Sequence, residues 1–118
     1  MVERHAFVGK TTIAPEVLHN IARLTVLSVP GVSRLCSVPA SVDRFFKPVS
    51  VEGVSIDVED NTVYADIYVV LVRDMNIRDV SRTIQSSVAR AISEMVGMDV
   101  GRVNVHVDDI DYDKELES

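Results

Sequence analysis

Between Val54 and Val72 apolar and polar side chains alternate over two consecutive runs. Val54, Ile56 and Val58 alternate with Ser55, Asp57 and Glu59, and Val63, Ala65, Ile67, Val69 and Leu71 make one face of a longer run. A period of two is the signature of a β-strand, whose successive side chains point to opposite faces. Asp60-Asn61 separates the runs, and both residue types tolerate the backbone of a tight turn. The segment therefore reads as an antiparallel β-hairpin with one apolar face, and other elements must cover that face.

Two helices can do so. Ile77, Val80, Ile84, Val88, Ala91, Ile92 and Met95 form a continuous stripe at helical spacing. Asn76 is placed to cap its start, with Asp79 as a weaker capping-box partner, and Gly97 suits its end. An earlier helix starts at Pro15, whose missing N–H costs nothing in a first turn, with Glu16 beside it and Ala14 as a poor cap. Its apolar residues are Val17, Leu18, Ile21, Leu24, Thr25 and Leu27, and Pro30-Gly31 ends it. Val32–Val38 reads as a strand with imperfect alternation, Val32, Arg34, Cys36 and Val38 on one face and Ser33, Leu35 and Ser37 on the other. A last strand sets Val103, Val105 and Val107 inward and Asn104, His106 and Asp108 outward, and Val8–Ile13 suits a short first strand. Residues 39–52, with Pro39, Pro48 and Phe45-Phe46, show no period and read as a loop.

The order is (β)αβββαβ, which implies an α+β fold. The expected form is a two-layer sandwich: a mixed sheet of about four strands with two helices on one face. Residues 1–109 make a single domain, and residues 110–118 an acidic tail expected to fray. The net charge of −6 belongs largely to the end of the chain, where Asp108, Asp109, Asp111, Asp113, Glu115 and Glu117 face only Lys114. Cys36 is the one cysteine, so no disulfide can form within the chain. Met1–His5 lacks the apolar run of a signal peptide, and no apolar stretch reaches membrane-spanning length. The expected compartment is the cytoplasm.

Residues able to carry chemistry are sparse. Gly9-Lys10-Thr11-Thr12 imitates the end of a phosphate-binding loop, but Arg4 stands where the first glycine belongs. Asp109, Asp111 and Asp113 imitate the opening of a calcium loop, but Lys114 occupies the glycine position. One cysteine with His5, His19 and His106 scattered along the chain supplies no zinc spacing. Cys36 sits mid-strand, where a cysteine behaves as a small hydrophobe. The expectation is no catalytic residue, no metal and no cofactor. An enzyme would need a polar pocket around Cys36 or His106.

Binding surfaces are easier to find. Arg78, Arg82 and Arg90 share one outward row of the second helix, an anion-facing stripe or an ordinary solvated face. Tyr64 and Tyr68 lie on the long strand opposite its core-facing set, suited to stacking nucleic-acid bases or to a dimer surface. Phe45 and Phe46, between Arg44 and Lys47, fit a membrane or partner contact, or a lid on the core.

Five segments carry a family likeness. Thr12–Val17, Val29-Pro30-Gly31-Val32, Gly53–Val58 with Val63–Val72, Val88–Gly97 and Val103–Val107 in this order resemble the bacterial alkaline-shock protein family, also called the Gls general-stress or envelope stress response family. The resemblance covers most of residues 8–110. It implies a small cytoplasmic, non-catalytic adaptor that self-associates and is linked to envelope homeostasis, in some members through a membrane-anchored partner. It brings no catalytic residues. The loop with Phe45-Phe46 departs from the family pattern, as does Arg73-Asp74, where members often carry a glycine. The alternative is an RNA-binding module using the Arg78/Arg82/Arg90 row or the tyrosine face, and it lacks the GxxG loop of KH-type domains.

Overall fold

A computed structural model describes Gly9, residues 12–37 and residues 49–112, with backbone alone for 49–51. The elements are α1 (Pro15–Leu27), β1 (Val32–Leu35), β2 (Val49–Val51), β3 (Val54–Glu59), β4 (Thr62–Val72), α2 (Ile77–Val96) and β5 (Asp99–Asp111). The fold is α+β, and among the described residues its sheet is mixed with five strands. The added strand, β2, lies inside the stretch read as loop. Three residues are too few to show a period.

β4 is the axis of the sheet. Along one edge it pairs in parallel with β5 from Thr62↔Asp99 to Val72↔Asp111. Its other edge is divided. β3 runs antiparallel from Glu59↔Thr62 to Val54↔Ile67, and β1 takes over from Leu35↔Val69 to Val32↔Leu71. β2 lies beyond β3, antiparallel to it. At the change-over the Tyr68 N–H donates to the Gly53 carbonyl (2.8 Å), and the Tyr68 carbonyl accepts from the Cys36 N–H (2.9 Å). Gly53 has φ +83°, and a Cβ there would stand 2.6 Å from the Cys36 carbonyl oxygen and 2.8 Å from Leu35 Cβ. Only a residue without a side chain lets two strands end against β4 at one point.

The hairpin turn forms as its residues require, Asp60 and Asn61 having φ +52° and +61°. Asn76 Oδ1 accepts from the Asp79 N–H at 3.0 Å, and the left-handed Gly97 returns its N–H to the Ser93 carbonyl. Both helices cover the same sheet face. Leu18, Ala22 and Val26 of α1 join Val80, Ile84, Val88 and Ile92 of α2 over Val63, Ala65, Ile67, Val69 and Leu71 of β4. Each such aliphatic side chain contributes about 1.5–3 kcal/mol on leaving water.

α1 buries only part of the stripe its periodicity suggests, Leu18 with Ile21 packed against the core. Leu18, Ala22 and Val26 are inside with His19, while Val17, Leu24 and Leu27 stay exposed. Both stripes are apolar, and packing against α2 and the sheet chooses between them. On α2, the ends of the expected stripe, Ile77 and Met95, are likewise exposed. β1 has a register irregularity between Val32 and Arg34, which puts Val32 and Leu35 together against the core. That bulge is why its alternation looked imperfect. β5 continues past Asp109 to Asp111, with Ile110 packed against the core, so the first residues of the expected tail belong to the sheet. Of Val8–Ile13, Gly9, Thr12 and Ile13 are described and lie in no strand; Val8, Lys10, Thr11 and residues 113–118 lie outside the described residues.

Candidate interaction surfaces

Valines at every second position of β4 and β5 face the helices, so the residues between them face away. The parallel register sets Tyr64 beside Arg102, Asp66 beside Asn104 and Tyr68 beside His106. Each pair interacts. Asp66 Oδ1 accepts from Asn104 Nδ2 at 3.1 Å, and His106 Nε2 lies 2.9 Å from the same oxygen. A carboxylate only accepts, so His106 holds its proton on Nε2 in this contact. The His106 ring stacks on Tyr68 with centroids 4.4 Å apart and planes 11° from parallel. The Arg102 guanidinium stands 5.4 Å above the Tyr64 ring. At the neighbouring bulge a Cβ on Gly101 would run into Tyr64 Cε1 and lie 2.9 Å from Cζ, so glycine there leaves room for the ring.

Tyr68 corrects an expectation. It is 5% exposed, with Val70 at 2% and Val72 at 8%, so this end of the face is no open aromatic platform. Two links to β5 cross this face, one from β1 and one from the residue after it: Ser33 Oγ donates to Asp111 Oδ2 (2.8 Å), and Cys36 Sγ donates to Asp108 Oδ2 (3.4 Å). Tyr64 remains half-buried under Arg102. Asp66 at the centre of the patch opposes a phosphate backbone, and the tyrosine arm of an RNA-binding reading loses its support.

The Cys36 thiol is pushed up from 9.0 to about 11, first by burial, then by its hydrogen bond to Asp108 and that residue's charge, with Arg34 opposing. A thiol that keeps its proton is a poor nucleophile. Cys36 lines a surface hollow of about 560 Å³ with Arg23, Leu27, Arg34, Leu35, Ser37 and Glu52, and His106 is not part of it. His106 is held instead by Asp66 and Tyr68. Among the described residues, no three His, Cys, Asp or Glu side chains converge as a metal site would need.

Arg78, Arg82 and Arg90 are all exposed on α2. Arg82 also borders a groove of about 390 Å³ between α2 and β5, together with Gln85, Ser86, Ala89 and Val100–Val103. Gln85 Nε2 crosses it to the Val103 carbonyl at 3.1 Å. Of the apolar α1 residues at helical spacing, Val17 (42%), Leu24 (60%) and Leu27 (42%) are exposed. His19 belongs to the buried side, its Nδ1 2.7 Å from the Pro15 carbonyl oxygen. Phe45 and Phe46 lie outside the described residues.

A family model described by a cell envelope-related function matches residues 3–112, nearly the whole chain. The chain belongs to the alkaline-shock protein 23 family. Within reach of it are the Uncharacterized protein YqhY of Bacillus subtilis (strain 168), 29% identical over 111 residues with 92% of this chain and 82% of that one covered, and the Uncharacterized protein Spy1535 of Streptococcus pyogenes serotype M6, 34% identical over 109 residues with 92% and 84% covered. Among solved structures, the fold is similar to the copper form of MamM CTD, with a TM-score of 0.56 at 11% identity, covering 85% of this chain and 90% of that one. A second MamM CTD chain gives 0.51 at 14% identity, covering 81% and 98%. At such identities the likeness concerns the backbone arrangement alone. No helix of the described residues is long and apolar enough to cross a membrane.

Proposed function

We propose that this chain is a non-enzymatic adaptor or scaffold that supports the cell envelope from the cytoplasmic side, self-associating and binding a membrane-linked partner. Membership of a family with a cell envelope-related function carries the reading. The arrangement of side chains agrees with it. The groups best suited to chemistry are turned toward one another, Cys36 to Asp108 and His106 to Asp66. Aliphatic side chains face water instead, with Leu24 at 60% and Met95 at 68% exposed. An isolated apolar side chain at a surface is ordinary, but Val17, Leu24 and Leu27 follow one another along a single side of α1 with Ile21 between them.

The test is cross-linking in cells followed by separation of membrane and soluble fractions. The native chain is expected to be recovered cross-linked to a membrane protein, and a folded Leu24→Glu/Leu27→Glu variant to lose that product. Recovery as a soluble monomer with no membrane-protein adduct overturns the reading. A substrate turned over by the purified chain would do the same.

A further inference from the structure

β5 is the longest strand, and among the described residues only β4 pairs with it. Its inward aliphatics, Val100, Val103, Val105, Val107 and Ile110, pack against the core yet remain half-buried, whereas the matching row of β4 is sealed. A long exposed edge with an incompletely covered apolar row invites another strand. Two features define what fits. Register irregularities make Gly101 and Asp108 extra residues on β5, leaving Arg102–Val107 as its regular stretch. The Val103 carbonyl is taken by Gln85, an exposed α2 side chain reaching along the groove beside this edge. Backbone groups of alternate residues share an edge, so Val103, Val105 and Val107 turn theirs away from β4.

We propose that this edge pairs with the same edge of a second copy, antiparallel about a two-fold axis at Val105. The proposal rests on the self-association in the reading above and adds its surface and register. Edge-facing residues must meet in hydrogen-bonded pairs, Val103 with Val107 of the second copy and Val105 with itself. That register sets Arg102 of each copy opposite Asp108 of the other. Both lie on the face away from the helices: Arg102 stands over Tyr64, and Asp108, itself the bulge residue, accepts there from Cys36. The charges complement each other twice, by symmetry. Asp99 and Asp111 would be like-charged neighbours, but they lie beyond the bulges that end the regular pairing. Ser86 and Ala89, both short, line the groove where the second copy's strand enters.

The experiment is sedimentation velocity on the full chain across a concentration series, with circular dichroism to confirm folding. Arg102→Glu and Asp108→Arg are each expected to weaken association about tenfold, and the double variant to restore it to near the native value. Val105→Pro removes an edge-facing N–H and is expected to abolish association. If Val105→Pro does not fold, the charge swap decides alone. Unchanged association in the folded single variants, or no recovery in the double variant, overturns the β5 edge while leaving self-association through another surface. A native chain monomeric throughout the series overturns both.

Discussion

β4 and β5 are nearly the same strand in sequence and different in circumstance. Each alternates small aliphatics with polar or aromatic residues, and each turns its aliphatics toward the helices. On β4 the inward row is sealed, Val63, Ile67, Val69 and Leu71 at 0% exposure and Ala65 at 1%. On β5 no member of the row reaches that state, although all pack against the same core. The difference lies in neighbours. β4 has a strand along both edges; among the described residues β5 has one along a single edge. Burial in a sheet is set by place in the strand order as much as by residue type, and place in the order is a property of the whole chain.

The comparison is sharpest for cavities. Ile67→Ala in β4 is expected to lower unfolding free energy by about 4 kcal/mol, against about 1 kcal/mol for Val105→Ala in β5, both read by urea denaturation. Similar costs at the two sites would break the distinction between axis and edge. Glycines test the same contrast, Gly53 on one side of β4 and Gly101 on the other. Gly53→Ala adds left-handed strain to a collision with backbone and is expected to cost about 3 kcal/mol. Gly101→Ala meets an aromatic ring that can swing aside, and about 1 kcal/mol is expected, together with a changed Tyr64 environment in NMR spectra. His106→Ala removes the stack on Tyr68 and a hydrogen bond to Asp66, at about 1 kcal/mol in the same denaturation assay.

The smallest effect concerns pH. The folded Cys36 thiol holds its proton to about 11, against 9.0 as its ordinary value, so between those values the unfolded chain binds fewer protons. Stability from this group is therefore complete below pH 9 and declines as pH rises toward 11. Asp108→Asn removes the carboxylate that helps hold the proton, so alkylation of Cys36 by iodoacetamide at pH 9 is expected to accelerate. An unchanged rate would mean that burial alone suppresses the thiolate.

Local signals carried much of this fold. The hairpin, α2 with both caps and the inward valines of β5 are each legible because one short segment contains everything that determines them. α1 shows where this stops: Val17, Leu24 and Leu27 are as apolar as Leu18, Ala22 and Val26, and only the packed structure selects the second set. The outward patch was less legible still. Asp66 and Tyr68 on one strand, and Asn104 and His106 on the other, have matching spacing, but nothing in either segment says that they pair in parallel with Asp66 beside Asn104. Tyr68 was found as an outward residue and misjudged as accessible, because the cross-links from Ser33 and Cys36 to β5 depend on that same strand order.

The placement of β5 also governs how the chain is made. β4 is translated early, and the strand that seals its second edge comes only after the twenty residues of α2. A nascent chain on the ribosome therefore carries an unsatisfied, valine-rich template until β5 emerges, and parallel pairing at such sequence separation closes slowly. During that interval the nascent protein is at its most vulnerable to sticking to others of its kind.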